Sequence, residues 1–246
     1  MNDIFQNLQK HVADAVSHYW ETRRSQTNKQ SISGKADQGA RSAVTGGAQM
    51  DGFIQLIYEL VIHAGVDQNN IFFKKSLELP GFFRPTKEWD FLVVKNDQFI
   101  IALEAKSQVG PSFGNNFNNR TEEAIGSALD LWTAYREGAF NKTVKPWLGY
   151  LFLLEDCEAS RRPVKVREPH FKVFPEFVDA SYSKRYEFFC RKLVRERHYN
   201  VASFLLSHRK QGLKGEYQEP AEDLTFEIFA KSLVAHASVY GVSNIK

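Results

Sequence analysis

Lys87-Glu-Trp-Asp-Phe-Leu-Val-Val-Lys95, then Asn96-Asp-Gln98, then Phe99-Ile-Ile-Ala-Leu-Glu-Ala-Lys106 is the stretch from which the fold can be read. Two apolar, β-prone runs separated by a short polar turn predict an antiparallel hairpin. Side chains alternate along a strand, so Glu104 and Lys106 share one face while Leu103 and Ala105 share the other. Asp90 opens the first strand and Glu104 closes the second, so pairing brings both carboxylates to the same end of the hairpin. An ion pair on a surface strand would come with polar residues at alternate positions, and Phe99 to Leu103 has none. Two acids and a lysine at the end of an apolar hairpin are unfavourable in a core unless a metal ion sits between the acids.

Working outward, the chain has 246 residues, of which 43% are hydrophobic and 25% charged. This is an ordinary soluble composition, long enough for a substantial core. The formal net charge of +3 permits a nucleic-acid partner without arguing for one, because clustering matters more than the total. Cys157 and Cys190 are too few for a disulfide framework and lack metal-ligand spacing, so they read as reduced thiols. There is no run of about 18 apolar residues and no signal-peptide layout, and the expected location is cytoplasmic, with no membrane partner.

Residues 3–22 place Phe5, Leu8, Val12, Val16 and Tyr19 at helical spacing. That helix packs either on the domain or on a second subunit. Residues 23–47 are polar and basic, with Arg23, Arg24, Lys29, Lys35 and Arg41, and read as a loop or disordered arm. The arm is either a solvated linker or a segment that orders on a phosphate backbone. Residues 50–64 read as a buried helix stopped by Gly65. Its stripe Asp51, Gln55, Glu59 is either the solvent side or brings Glu59 to the carboxylates as an extra acid. A first strand follows at 71–79, and after the hairpin comes a polar, Gly- and Asn-rich loop reaching Arg120. A helix at 121–137 starts at Thr121, and Trp147–Leu154 reads as a buried strand. A helix between the hairpin and that strand implies a crossover, hence a parallel addition to a mixed sheet. The remainder reads as helical, at 183–198 and 221–237. Residues 1–49 are therefore an N-terminal helix and basic polar arm, and 50–246 one domain, with its core at 50–155 and a C-terminal helical part at 156–246.

Phosphodiester hydrolysis calls for a metal that polarises the phosphate and activates water. Hard oxygen ligands suit Mg²⁺, and Asp90, Glu104 and the backbone carbonyl of Ala105 are the protein's candidates. Lys106, on the face of Glu104, is placed to hold or deprotonate the attacking water. His170, His198, His208 and His236 are scattered without ligand spacing, which argues against a histidine-metal nuclease.

The hairpin resembles the PD-(D/E)xK nuclease signature, with Trp89 standing where that signature has proline. The order of helix, three strands, helix and strand is similar to that superfamily's α/β core, a central mixed sheet flanked by helices. Four segments more narrowly resemble the XhoI family of type II restriction endonucleases: Arg84-Pro-Thr-Lys-Glu-Trp-Asp90, Leu103-Glu-Ala-Lys106, Val109-Gly-Pro-Ser-Phe-Gly-Asn-Asn-Phe-Asn-Asn-Arg-Thr-Glu-Glu-Ala-Ile-Gly126 and Ser160-Arg-Arg-Pro-Val164. The resemblance runs from Met50-Asp-Gly-Phe53 to the C-terminal helices. It implies a Mg²⁺-dependent homodimer acting on double-stranded DNA, cutting the palindrome CTCGAG after its first C to leave four-base 5′ overhangs.

A two-fold dimer reads two identical half-sites with the same residues used twice. Guanine in the major groove is matched by Arg or Lys, and adenine by Asn or Gln. The Asn115–Arg120 segment, with Asn115, Asn116, Asn118, Asn119 and Arg120, follows the catalytic strand directly and carries such side chains. Arg84, Lys87, Arg161 and Arg162 are further candidates. The rival readings are a repair or structure-specific nuclease that shares only the core, and a non-catalytic DNA-binding protein. Intact Asp90, Glu104 and Lys106 argue against the second rival.

Overall fold

In the computed structural model, residues 4–32, 48–141 and 144–241 are described. Five strands form the central sheet in the order β1 (Ile71–Phe72), β4 (Phe91–Lys95), β5 (Gln98–Gln108), β6 (Trp147–Glu155), β7 (Val201–Ser207). The first three of these run antiparallel, while β5, β6 and β7 run parallel. β2 (Glu78–Pro80) and β3 (Thr86–Glu88) make a separate small hairpin. The sheet is mixed and flanked by helices on both faces, the expected class.

The β4–β5 hairpin forms with Phe91 opposite Leu103 and Lys95 opposite Gln98. The turn is two residues long, Asn96-Asp97, with φ of 51° and 60°. Positive φ at both central positions suits the twist of the flanking strands, and Asn and Asp tolerate it best among non-glycine residues. Alternation along β5 then divides the core. Ile101, Leu103 and Ala105 pack with α1 (Leu8–Ile32), α2 (Asp51–His63) and, later in the chain, α6 (Phe226–Ser238). Ala102 and the following even positions face α3 (Phe113–Arg136) and α5 (Tyr182–Arg195). Between them, α4 (Glu158–Arg161) is a single turn. Both faces of β6 are covered, which is why Trp147 to Leu154 shows no polar alternation.

Four expectations are corrected. The arm at 23–47 is helical up to Ile32, and the rest of it lies outside the described residues. The preceding turns bury Val12, Val16, Tyr19 and Trp20, and Trp20 Nε1 donates to Ser207 Oγ at 2.9 Å. Once those turns are anchored on the domain, each added residue gains a hydrogen bond without a new nucleation step, so the extension needs no apolar face. The strand expected at 71–79 is two strands in different sheets, because Ser76 at φ 59° turns the chain between them. The Asn-rich segment is helix, with α3 starting at Phe113 and not at Thr121. Phe113 is buried beside Tyr182, and Phe117 packs edge-on against Tyr186, so aromatic packing overrides the weak helix propensity of Gly and Asn. Gly114 permits this, since a Cβ there would lie 2.8 Å from the Tyr182 hydroxyl oxygen. The remainder also holds a strand, β7, whose seven residues are all buried. Its run is as short as one face of a helix, so periodicity alone does not separate the two.

Candidate active site

The antiparallel register brings Asp90 and Glu104 to one end of the hairpin, where the Asp90 N–H donates to the Leu103 carbonyl at 3.1 Å. Asp90 Oδ2 accepts from the Ala105 N–H at 2.8 Å and from Lys106 Nζ at 2.9 Å. The same ammonium lies 3.5 Å from Glu104 Oε1. One lysine therefore bridges both carboxylates.

Glu104 is almost fully enclosed, its side chain 3% exposed against 35% for Asp90. Its Oε1 accepts from Lys87 Nζ at 2.8 Å, and its Oε2 accepts from the Tyr199 hydroxyl, also at 2.8 Å. Burial favours the neutral acid, but the charge of Lys106, then that of Lys87, and the two hydrogen bonds outweigh it. The carboxyl is held below its usual range. Lys106 mirrors this: burial disfavours its charge, Glu104 and then Asp90 outweigh burial, and its pKa is raised. The two carboxylates thus favour the ammonium form of Lys106, which donates to Asp90.

Asp90, Ala105 and Lys106 open onto a groove of about 440 Å³ between the small hairpin, α1, α2 and the start of α3. Arg23 reaches this groove from α1, and Asn116 and Arg120 reach it from α3 one helical turn apart. Arg120 is also paired with Glu123. Asn115, Asn118 and Asn119 are exposed on the same two turns.

The other expected residues separate. Lys87 sits on the carboxylate site. Arg84 Nε holds Asp130 Oδ2 at 2.7 Å, and its Nη2 donates to Ser127 Oγ at 3.2 Å. Asp130 Oδ1 also accepts from the N–H groups of Phe82 and Phe83, both at 2.7 Å, so Arg84 and Asp130 together fasten the loop of the small hairpin to α3. Arg161 is bidentate on Asp156, at 2.5 and 2.8 Å, and bonds Gln218 Oε1 at 2.8 Å. Arg162 is exposed. Glu59 accepts from Gln55 Nε2 at 3.1 Å and lines a neighbouring groove with Asp14 and His18, so it is not brought to the Asp90 site. Asp51, at the start of the same stripe, lines both grooves, whereas Gln55 and Glu59, one and two turns on, line only the neighbouring one.

Tyr199 was missed, since a tyrosine between a helix and a short apolar run carries no sequence mark. Arg23 was noted only as part of a basic segment.

The donor set suits a hard divalent cation. Two carboxylates lie close enough to share one ammonium, and one of them opens to the groove. Among the described residues no third His, Cys, Asp or Glu joins them. Such sparse protein ligation fits Mg²⁺, which keeps several waters.

The chain is similar to known proteins over most of its length. The family model described as restriction endonuclease XhoI matches residues 29–219. The type II restriction enzyme BstVI of Geobacillus stearothermophilus is 56% identical over 216 residues, covering 86% of this chain and 96% of the relative. The type II restriction enzyme XhoI of Xanthomonas vasicola is 48% identical over 181 residues, covering 73% of this chain and 72% of the relative. AbrI of Azospirillum brasilense, also a type II restriction enzyme, is 48% identical over 167 residues, covering 68% and 75%. No solved structure matches.

Proposed function

The chain belongs to the XhoI family of type II restriction endonucleases, and from that premise we propose that it is a Mg²⁺-dependent homodimer in the cytoplasm that hydrolyses double-stranded DNA at CTCGAG. The cut falls after the first C and leaves four-base 5′ overhangs. The single observation that carries the reading is the bridging of Asp90 and Glu104 by Lys106, at 2.9 and 3.5 Å, with Asp90 and Lys106 open to the groove and Glu104 enclosed beneath them.

Asp90, Glu104 and the carbonyl of Ala105 would hold the ion. When bound, it polarises the scissile phosphate and acidifies a coordinated water. Lys106 would hold the attacking water, and the proton that this water loses passes to solvent in the open groove. Tyr199 fixes the Glu104 carboxylate from behind by occupying Oε2. Arg23 and Arg120 meet the backbone of a duplex lying along the groove, where positive charge supplies affinity without reading sequence. Asn115, Asn116, Asn118 and Asn119 present amides to base edges, and two copies of the chain read a palindrome with the same residues twice. Among the described residues no helix is long and apolar enough to cross a membrane.

The test is digestion of a plasmid carrying one CTCGAG site, with the ends sequenced. Linear product with TCGA overhangs in Mg²⁺, and none from Glu104→Ala, is the expected result. Scattered cleavage returns the reading to a nuclease of lower specificity. Equal activity of the variant removes the carboxylate from the mechanism.

A further inference from the structure

Glu104 has two lysines, and the nuclease signature accounts for one. Lys106 lies on the same strand as the acid and makes its shorter contact with Asp90, at 2.9 Å against 3.5 Å to Glu104. Lys87 comes from β3 of the small hairpin, and its Nζ is 2.8 Å from Glu104 Oε1. Its side chain is 12% exposed. The same ammonium donates to the Glu88 carbonyl at 2.9 Å and lies 4.3 Å from the centroid of the Trp89 ring.

Two carboxylates and two ammoniums sum to no net charge, so the site is electrically balanced without any ion. Both oxygens of Glu104 are in use, Oε1 by the lysines and Oε2 by Tyr199. A divalent cation would take Oε1, the oxygen that faces Asp90 through the shared Lys106, and two ammoniums already crowd its lone pairs and repel a cation. Lys87 can leave Oε1 without being stranded, because the Glu88 carbonyl and the face of Trp89 already touch its ammonium.

We propose that Lys87 is a resident counter-ion, occupying the Glu104 oxygen that a divalent cation takes, so that metal entry must displace it. This rests on the reading of Asp90 and Glu104 as metal ligands. Lys87 thereby holds the buried carboxylate in place when the metal is absent and weakens metal binding by the free protein. Apparent affinity falls in proportion to the small fraction of molecules whose Oε1 is open.

The proposal is tested by titrating Mg²⁺ into the full-length protein without DNA, using calorimetry. Lys87→Gln and Lys87→Ala should bind about tenfold more tightly than wild type, while Lys87→Arg, which keeps the charge, should stay near the wild-type value. Equal or weaker binding by both neutral variants overturns the proposal. Glu104→Gln separates the two levels. Mg²⁺ binding that survives Glu104→Gln unchanged overturns the metal-site reading and this proposal with it, whereas binding that needs Glu104 but ignores Lys87 overturns the proposal alone. If the neutral variants do not fold, wild-type protein suffices: Mg²⁺ should shift the side-chain NMR resonances of Lys87, and unshifted resonances at saturating Mg²⁺ overturn the proposal.

Discussion

The Tyr199 hydroxyl donates to Glu104 Oε2 at 2.8 Å across 95 residues of sequence. Its oxygen also lies 3.2 Å from the Ala124 carbonyl, so one phenol ties β5, the turn before β7 and helix α3 at a single point. Tyr199→Phe keeps the packing and leaves a buried carboxylate oxygen without its donor. It should lower stability by about 1–3 kcal/mol, read by urea unfolding. As a positioning residue, Tyr199 should also show in the Mg²⁺ dependence: half-maximal cleavage should need more Mg²⁺, which a merely structural loss would not produce.

Lys106→Ala should abolish cleavage and spare specific binding, measured by electrophoretic shift on a CTCGAG duplex. The bridge across Asp90 and Glu104 is lost, while the exposed Asn face of α3 is untouched. Retained turnover would take Lys106 out of the mechanism.

Asn118→Ala and Asn119→Ala should each cost about 1–3 kcal/mol of discrimination against altered half-sites, the worth of a bidentate base contact. Non-specific affinity should hardly move. A uniform loss on every sequence would instead mark these residues as backbone contacts.

Arg161 and Arg162 are neighbours that should behave differently. Arg162 is exposed, and Arg162→Ala should reduce the slope of binding against salt by about one if it meets a phosphate. The guanidinium of Arg161 is committed to Asp156 and Gln218. Arg161→Ala should leave the salt slope unchanged and lower stability by at most about 1 kcal/mol, as expected of a partly exposed pair.

Asp130 gives a pH prediction. Burial opposes its charge, but the Phe83 N–H, Arg84 and the Phe82 N–H together outweigh it and hold its pKa below the usual carboxylate value. A lowered folded-state pKa stabilises the protein above the unfolded value, and that contribution disappears as pH falls through the folded one. The stability difference between wild type and Asp130→Asn should be constant above about pH 5 and shrink below about pH 4. Urea unfolding at a series of pH values measures it, and a difference that grows on acidification would contradict the assignment.

The hairpin was legible because each of its signals is local. Two β-prone runs, a turn whose Asn96 and Asp97 accept positive φ, and side-chain alternation from Ile101 onward place Asp90, Glu104 and Lys106 together before any other contact is known. The parallel crossover to β6 was legible for a similar reason, since a helix between buried strands leaves few topologies. The start of α3 was not, because Gly and Asn argue against helix locally and only Tyr182 and Tyr186, more than sixty residues on, stabilise it. The length of α1 was hidden likewise, since its polar end depends on an anchor supplied by the rest of the fold.

Local sequence was therefore enough to place Asp90, Glu104 and Lys106 at one end of a hairpin, because periodicity and turn chemistry act within a few positions. Which side chains complete the site was decided by folding alone. Tyr199 and Arg23 enter it, Lys87 turns inward onto Glu104, Arg84 and Arg161 are committed elsewhere, and Glu59 turns away. Each of those outcomes depends on how distant elements pack. The direction of a side chain on its own helix or strand does not say what it will meet.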